Sequence, residues 1–388
     1  MPIVNRLAEF HDDIVAWRRD LHRHPEVLYE VQRTAATVAD KLRSFGVDEV
    51  TTGIGRTGVV GVIRGRKSAS GKVVGLRADM DALPLREITG KPWASTIDGR
   101  MHACGHDGHT AMLLGAARYL AETRNFDGTV VVIFQPAEEG GAGGKAMIAD
   151  GLMDRWNIQE VYGMHNMPGL AVGSFATRPG PLMAATDEFT IDITGHGGHA
   201  ARPHGTIDPI IVGAGIVQAL QTIVSRSVDP IESAVVSVTK FHAGEAYNII
   251  AQTAQLAGTV RTLKAEMRDH VEARFRAIID NLGPAFGAKI SLRYKRNYPV
   301  TRNHPEQTAF AARAAGDIVG AGAVDSDAPP VMGGEDFSYM LEARPGAFIF
   351  IGNGDSAGLH NPAYDFNDEV IPIGCSYWAR IVETAMPA

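Results

Sequence analysis

The unbroken apolar run TVVVIF at residues 129–134 is the feature that most limits which folds are open to this chain. A strand with one face in water alternates polar and apolar residues, whereas a continuous β-branched run is typical of a strand buried on both faces. Further strand patterns alternate with helical patterns along the first half of the chain, at residues 58–65, 72–79 and 160–165. This alternation predicts an α/β layer with a mainly parallel sheet and helices on both faces.

The pattern changes near residue 184. Two helices are predicted among four strand patterns, which lie at residues 188–196, 233–243, 252–263 and 289–298. Their β-α-β-β-α-β order predicts a ferredoxin-like α+β domain. After Pro299 the first pattern resumes. We therefore expect one domain built from residues 1–184 and 299–388, with a second domain, residues 185–298, inserted into it.

Charge and cysteine content exclude several classes of protein. The net charge is −7, and no basic tract or aromatic-basic interleaving is present, which argues against nucleic acid and an anionic membrane surface as partners. The N-terminus carries charges from residue 6 and lacks an apolar run, so neither a signal peptide nor a membrane-spanning helix is expected. Two cysteines are too few for a disulfide framework. We expect a cytoplasmic protein.

The stretch MHACGHDGH at residues 101–109 is the densest group of chemically active side chains in the sequence. It contains three of the fourteen histidines, and its candidate ligands are His102, Cys104, His106, Asp107 and His109. A cluster of this kind indicates a metal or catalytic site. The alternative is a polar loop that caps the next helix, which is predicted from about residue 110.

Other candidate ligands follow the predicted strands. These are Asp79 and Asp81, Glu138 and Glu139, His165, and His360 after a short loop. Cys104 and His106 belong to the loop after the second strand. Because ligands bind at the carboxyl ends of the strands in open α/β sheets, parallel strands would bring all these groups to one edge.

A thiolate, three imidazoles and a carboxylate suit Zn²⁺, Co²⁺, Ni²⁺ or Mn²⁺ and argue against Mg²⁺ or Ca²⁺. Five protein ligands are too many for one catalytic zinc, but they suit two cations about 3.5–4 Å apart. Such cations lower the pKa of a water molecule that they share, and a nearby glutamate can take its proton. One of Glu138 and Glu139 would bind metal and the other would be the base; the spacing alone does not decide which.

Seven motifs in order along the chain carry a resemblance to a known family. They are LRADMDALPL (76–85), MHACGHDGH (101–109), FQPAEEGG (134–141), GMHNMPG (163–169), GHGGHAARPH (195–204), MGGEDFSYM (332–340) and LHNPAYDFND (359–368). The chain resembles the M20 metallopeptidase superfamily, and more narrowly its M20D branch of N-acyl-amino-acid amidohydrolases, which includes hippurate hydrolases and auxin-conjugate hydrolases. The motifs span nearly the whole chain but do not specify a substrate.

The resemblance implies roles for individual residues. The residues that match the two-metal ligand set are Cys104, His106, Glu139, His165 and His360. Glu138 matches the general base, and Asp81 matches the carboxylate that orients a ligand imidazole. Asp79 stands where the wider superfamily has a histidine, so no ligand role is assigned to it.

Four further residues lie in or beyond the inserted domain. His199 matches a histidine that polarises the scissile carbonyl, in relatives from the partner subunit, so we expect a homodimer or homotetramer. Asn248 and Arg261 match residues that hold the substrate, with Arg261 suited to clamp a carboxylate. Gly334 either presents backbone N–H groups to a substrate carboxylate or belongs to a plain turn.

The resemblance thus implies an enzyme that cleaves a small N-acyl-amino acid to a carboxylate and a free amino acid with two divalent metal ions. The inserted domain would serve as a lid or dimerisation domain. One alternative is a dipeptidase or aminopeptidase on the same scaffold, although no acidic residue is evident for a free α-amino group. Another is a catalytically silent metal-dependent binding protein, against which the intact Glu138 and His199 argue.

Overall fold

The computed structural model describes residues 4–388, which fall into two compact units. Unit 1 comprises the residues up to Leu182 together with Thr301–Pro329 and Asp336–Ala388. Unit 2 comprises Met183–Val300 and Pro330–Glu335. The chain therefore returns to unit 2 for one short segment after it has re-entered unit 1.

The elements of both units are numbered along the chain. The strands are β1 Glu49–Ile54, β2 Gly58–Arg64, β3 Val73–Asp79, β4 Thr129–Gln135, β5 Glu160–Pro168, β6 Phe175–Ala176, β7 Gly180–Met183, β8 Ala185–Thr194, β9 Gly198–His199, β10 Ala234–Ala243, β11 Ile249–Ile250, β12 Thr253–Thr262, β13 Lys289–Arg296, β14 Thr301–Asn303, β15 Val324–Asp325 and β16 Gly346–Gly354. The helices are α1 Asn5–Glu9, α2 His11–Arg23, α3 Gln32–Ser44, α4 His106–Thr123, α5 Gly143–Ala149, α6 Leu152–Arg155, α7 Pro209–Thr222, α8 Ala265–Phe286, α9 Pro305–Val319, α10 Ser338–Ala343 and α11 Ile371–Ala385.

Unit 1 is built on an eight-stranded sheet in the order β1-β2-β4-β3-β5-β16-β6-β15. Its four central strands, β4, β3, β5 and β16, run parallel to one another. Residues Val130–Phe134 of β4 are fully buried, as the continuous apolar run predicts. The predicted α/β layer with a mainly parallel sheet is confirmed.

Helix α4 begins earlier than its sequence pattern indicates. A start near residue 110 is predicted, but the helix starts at His106, after Gly105 with φ +90°. The first turn of the helix contains polar residues, a composition that predicts a loop. In the structure, however, Gly105, Asp107 and Thr110 are all buried. His106 and His109 consequently lie one turn apart on the same helix. Similarly, the apolar residues of the stretch 3–22 recur with a helical period, which predicts one helix. The structure has two helices that meet at Phe10, and Ile3 lies outside the described residues.

Unit 2 contains a four-stranded antiparallel sheet in the order β10-β12-β8-β13. Helices α7 and α8 pack on it, and the shared core includes Phe189, Ile191, Ile216, Leu220 and Phe275. The predicted ferredoxin-like arrangement is confirmed.

The segment Pro209–Ser227 of unit 2 is long and apolar enough to cross a membrane, with a mean hydropathy of 1.3. Val212, Ile216 and Leu220 on this segment are buried in the core of unit 2. Core helices of soluble proteins meet the same length and composition criteria, so this one segment is weak evidence for a membrane span.

Candidate metal centre

The carboxyl ends of the central parallel strands bring the candidate ligands together. Asp79 is the last residue of β3, the pair Glu138 and Glu139 follows β4, and His165 lies within β5. Strand β5 was expected to end at His165, but it continues to Pro168. His360 lies beyond β16, where its backbone N–H donates to the carbonyl of Ala103 at 2.8 Å. That bond attaches the His360 loop to the loop that carries Cys104.

Asp81 organises two ligand-bearing segments at once. Its carboxylate oxygens accept the backbone N–H groups of Glu138 at 2.9 Å and Glu139 at 3.1 Å. Its backbone carbonyl accepts Nδ1–H of His106 at 2.8 Å, while its carboxylate lies 3.5 Å from the same nitrogen. The carbonyl is therefore the main atom that orients the imidazole, and the carboxylate fixes the turn of the two glutamates.

The two buried candidate histidines use Nδ1 in the same way. Nδ1–H of His165 donates to the carbonyl of Asn166 at 2.7 Å, and His106 donates to Asp81. In both rings Nε2 is left as the nitrogen that can bind a cation. Nε2 of His165 lies 3.4 Å from Sγ of Cys104.

Glu139 connects the buried ligands to the surface. Its Oε1 lies 3.9 Å from Nε2 of His106 and 3.2 Å from Nε2 of His360, whose side chain is 54% exposed. Cys104, His106 and His165 offer ligand atoms within 4.8 Å of one another, and so do Cys104, Glu139 and His360. Two ligand groups that share Cys104 fit a pair of neighbouring cations.

Two buried atoms at this site lack a hydrogen bond of good geometry in the described part of the chain: Nε2 of His106, and Oε1 of Glu139, which forms an ion pair with His360 at 3.2 Å. Burial, with Glu139 and Glu138 nearby, raises the pKa of the Cys104 thiol well above its usual range. Burial opposes protonation of His106, but Asp79 and Asp81 raise its pKa to about 10. A divalent cation would satisfy Nε2 of His106 and Oε1 of Glu139 and stabilise the thiolate, so these residues fit such an ion.

A second layer of buried charge lies behind the ligands. The Asp79 carboxylate contacts Nδ1 of His109 at 2.6 Å and the Arg77 guanidinium at 2.9 Å. Arg77 also contacts the Asp336 carboxylate at 3.1 Å. The Asp336 backbone N–H points at Oε1 of the buried Glu138, at a long 3.4 Å. Asp79 is thus held between a cation and an imidazole.

Within unit 2, the structure places His199 beside Asn248. His199 in β9 pairs with Ile249 in β11, and the Ala200 N–H donates to the Asn248 carbonyl at 3.0 Å. The His199 side chain is exposed, and its Nδ1 accepts the backbone N–H of Ala201 at 3.1 Å. With Nδ1 as the acceptor, a neutral ring carries its proton on Nε2, which can then donate.

Arg261 and Gly334 both lie next to Thr186, near the first residues of β8. Arg261 in β12 pairs with Thr186 of β8, and a Cβ on Gly334 would lie 2.1 Å from Cγ2 of that threonine. A larger residue at position 334 would therefore clash with Thr186, which explains the glycine. Arg261 is half-buried, and burial lowers the pKa of its guanidinium. From Arg261 to Thr253 at the far end of β12 is about 26 Å, at about 3.3 Å per residue.

The sequence did not single out Asn166, and it named His109 as a member of the ligand cluster without giving it a role of its own. Both are buried and in contact with each other. Asn166 directly follows His165 inside a quoted motif, and His109 is three residues after His106. The sequence signal was present for both, but it becomes informative only once α4 is known to begin at His106.

Comparison with known proteins was made on the sequence and on the fold. The profile of peptidase family M20/M25/M40 matches residues 75–384. A hippurate hydrolase from Campylobacter jejuni is 41% identical over 381 residues, covering 98% of each chain. An N-acetyl-L-cysteine deacetylase from Bacillus subtilis is 41% identical over 96% of this chain and 88% of its own.

Among solved structures, a Bacillus subtilis protein described as a dinuclear metal-binding peptidase of the M20 family superposes with a TM-score of 0.84. It is 34% identical in sequence and is matched over 98% of this chain and 99% of its own. The match covers both units of the fold described above.

Proposed function

The chain belongs to peptidase family M20/M25/M40, and we propose that within this family it is a two-metal amidohydrolase that cleaves N-acyl-amino acids. The resemblance drawn from the seven motifs is thereby confirmed at the level of the family. The relatives named hippurate hydrolase and N-acetyl-L-cysteine deacetylase both act on an amide between an acyl group and an amino acid, as their names state. The acyl group differs between these two relatives. We therefore propose the type of bond that is cleaved, and we do not propose one particular acyl group.

The observation that carries the proposal is the turn at Glu138 and Glu139. Asp81 fixes both backbones, which sends Glu139 toward His106 and His360 and leaves Glu138 as a buried carboxylate beside them. We assign Cys104, His106, Glu139, His165 and His360 as the ligands of two divalent ions. We assign Glu138 as the general base.

When bound, the two ions supply positive charge that acidifies water and polarises the scissile carbonyl. Glu138 accepts the proton from the attacking water and later delivers it to the leaving amine. Asp81 keeps Glu138 and Glu139 apart in these different roles through its two backbone contacts.

His199 is assigned as the donor that stabilises the negative charge developing on the carbonyl oxygen. The bond from Ala201 N–H to its Nδ1 supports this role, because it leaves the proton on Nε2 of the neutral ring. Asn248 lies on the paired strand segment and is assigned to substrate binding with it. Arg261 is assigned to the substrate carboxylate, since a half-buried guanidinium suits bidentate binding. Backbone N–H groups at Gly334 are assigned to the same carboxylate.

We further propose that two copies of the chain act together as a homodimer, alone or within a homotetramer. His199 and Asn248 lie beyond the end of β8 and β12 where Thr194 pairs with Thr253, and Arg261 and Gly334 lie at the end where Arg261 pairs with Thr186. The stretch of β12 between these two ends, from Thr253 to Arg261, is about 26 Å long at about 3.3 Å per residue. An N-acyl-amino acid is too small to contact both ends within one copy. His199 and Asn248 would then serve the site of the neighbouring chain.

Unit 2 has an exposed apolar surface that suits such a partner. Ile210 and Ile211 of α7, Phe241 of the edge strand β10 and Phe286 of α8 are each at least 40% exposed. Phe241 and Phe286 both lie against α7, where a Cβ on Gly213 would meet Phe241 and one on Gly215 would meet Phe286. Contiguous exposed apolar patches of this kind often mark interaction sites.

The proposed metals are Mn²⁺, Zn²⁺, Co²⁺ or Ni²⁺, because the ligands include a thiolate and three imidazoles. The two cysteines are free and buried, and Cys104 is assigned as a ligand. That use of cysteine supports a reducing compartment, and we propose the cytoplasm.

The test is hydrolysis of a panel of N-acyl-amino acids and dipeptides by chelated protein that has been reloaded with each metal. We expect metal-restored cleavage of hippurate-like or acetylated substrates. Glu138→Gln should retain metal and lose about 10²–10⁴-fold in kcat. Glu160→Gln is the matched control, because Glu160 lies at the start of β5, away from the ligands, and contacts Tyr162 and Lys72.

If only dipeptides are cleaved, the protein is a dipeptidase or aminopeptidase instead of an amidohydrolase of N-acyl-amino acids. If no substrate is cleaved with any metal, a metal-dependent binding protein is favoured. Normal turnover by Glu138→Gln would contradict the assignment of Glu138 as the general base.

A further inference from the structure

Asn166 occupies the space between the two segments that carry the buried metal ligands. It is fully buried, and it follows His165 in β5. Its carbonyl accepts Nδ1–H of His165 at 2.7 Å. The side chain lies across the gap toward the segment of Cys104 and His106, so one residue touches both sides of the centre.

The side-chain amide of Asn166 is held at both ends. Its oxygen lies 2.7 Å from Nε2 of His109, and its nitrogen donates to the Tyr364 hydroxyl at 2.6 Å. His109 is fixed in turn by the Asp79 carboxylate at 2.6 Å. These bonds leave the amide no freedom to rotate away.

The amide packs directly against Gly105, the residue between Cys104 and His106. A Cβ on Gly105 would lie 2.2 Å from the Asn166 amide oxygen and 2.6 Å from the Tyr364 hydroxyl oxygen. Gly105 has φ +90° and precedes the first residue of α4. The backbone of the ligand loop is therefore in contact with the amide at a distance that only glycine allows.

We propose that Asn166 is a positioning residue that sets the separation between His165 and the Cys104–His106 segment. It does not bind the metal; its amide is bonded to His109 and Tyr364. It acts by holding β5 against the start of α4, so that Sγ of Cys104 and Nε2 of His165 stay 3.4 Å apart. The inference rests on the metal centre proposed above and extends it to the network that spaces the ligands.

The first test is Co²⁺ binding to the chelated full-length protein, followed by the d–d and thiolate-to-cobalt absorption bands. Asn166→Ala should weaken Co²⁺ binding about 10–100-fold, as substitutions of residues that support metal ligands do, and should change the bands. Asn166→Asp keeps the shape of the side chain and should recover most of the affinity. Asn303→Ala is the matched control, because Asn303 is also buried in unit 1 and its side chain bonds to Thr177, Arg178 and Phe348.

The second test changes Gly105, the residue that the Asn166 amide contacts. Gly105→Ala should weaken binding and alter the bands, because the new methyl group displaces the amide. Gly151→Ala is its control: Gly151 also precedes a helix, with φ +85°, but a Cβ there would meet nothing within 4 Å. Gly105→Ala also decides the question if Asn166→Ala does not fold.

The outcomes separate the two proposals. If Asn166→Ala or Gly105→Ala binds Co²⁺ with wild-type affinity and bands, the role of Asn166 is overturned and the metal centre stands. If the wild-type chain takes up no Co²⁺, the metal centre fails and the inference fails with it. Losses confined to Asn166→Ala and Gly105→Ala, with both controls like wild type, support it.

Discussion

At the scale of single residues, the metal centre has to release protons before it can hold a cation. Burial raises the pKa of the Cys104 thiol, and Asp79 and Asp81 raise the pKa of His106 to about 10 despite its burial. Burial lowers the pKa of His165, which is therefore neutral and ready to bind. At neutral pH the metal-free chain thus carries one proton on Cys104 and an extra one on His106.

We therefore predict that metal uptake at pH 7 releases about two protons per chain from these two residues, to which His360 adds, because its contact with Glu139 raises the pKa of that ligand as well. Calorimetric titration with Co²⁺ in buffers of different ionisation enthalpy measures this number. Cys104→Ser should release about one proton fewer. Release of no protons by the wild-type chain would contradict the protonation states given above.

His22 shows what a sequence cannot reveal about a single residue. It is 1% exposed and lies 2.8 Å from the Asp107 carboxylate and 3.4 Å from that of Glu87. Nothing in its neighbours along the chain indicates this, because both partners arrive from distant segments. Burial lowers its pKa, but Asp107 and then Glu87 outweigh burial and raise the pKa to about 9.

The raised pKa of His22 predicts a loss of stability at alkaline pH. A histidine whose pKa is higher in the folded state stabilises the fold fully below its unfolded value near 6.5, and this contribution disappears as the pH rises through about 9. The contribution is on the order of 3 kcal/mol. Denaturant unfolding between pH 6 and pH 10 measures it. The neutral variant His22→Gln should lack this decline, and a decline of equal size in that variant would assign it to other groups.

At the scale of elements, the strands were more predictable than the helix ends. Strand β4 is visible as an apolar run because burial on both faces leaves no polar position over Val130–Phe134. Strands β3 and β5 also carry buried polar residues near their carboxyl ends, where the candidate site lies. The start of α4 was misplaced because its first turn is polar and yet buried, a combination that local periodicity does not register. Since α4 carries His106 and His109, the misplaced start also hid the contact between His109 and Asn166.

The packing of α4 predicts an unfavourable glycine-to-alanine change. Alanine favours a helix over glycine by about 1 kcal/mol. At Gly115, however, a Cβ would lie 2.6 Å from Cδ1 of Ile14 and 2.7 Å from Sγ of Cys375. Overpacking of this kind costs about 1–3 kcal/mol, so Gly115→Ala should lower the free energy of unfolding in a denaturant titration.

The same change in α9 is the control for Gly115. A Cβ on Gly316 would meet its nearest atom, Cα of Ala321, at 3.4 Å, which is ordinary contact. Gly316→Ala should be neutral or stabilising through helix propensity. If both variants are stabilised, α4 is less tightly packed than described.

At the scale of the whole molecule, the sequence predicted two layers of different fold because the change from continuous to alternating strand patterns is sharp near residue 184. It also placed the ligand-bearing strand ends at one edge, since parallel strands share an edge. It could not show that His199 and Arg261 lie at opposite ends of one sheet. That separation depends on the register of β8 with β12, which residue types alone do not determine.

This separation makes the number of chains at each site measurable. If His199 serves the neighbouring chain, co-refolded His199→Ala and Glu138→Gln chains form hybrid dimers with one intact site, which holds Glu138 of one copy and the partner's His199. Random pairing makes half of the dimers hybrids, and half of their sites are intact, so about a quarter of wild-type activity should return.

Two controls accompany this experiment. Mixing the two variants without refolding prevents exchange of chains and should restore no activity. Pairing Glu138→Gln with His106→Ala, which damages the same half of the site in both chains, should also stay inactive. Hybrids that are shown to form and yet remain inactive would mean that His199 acts within its own chain or not at all.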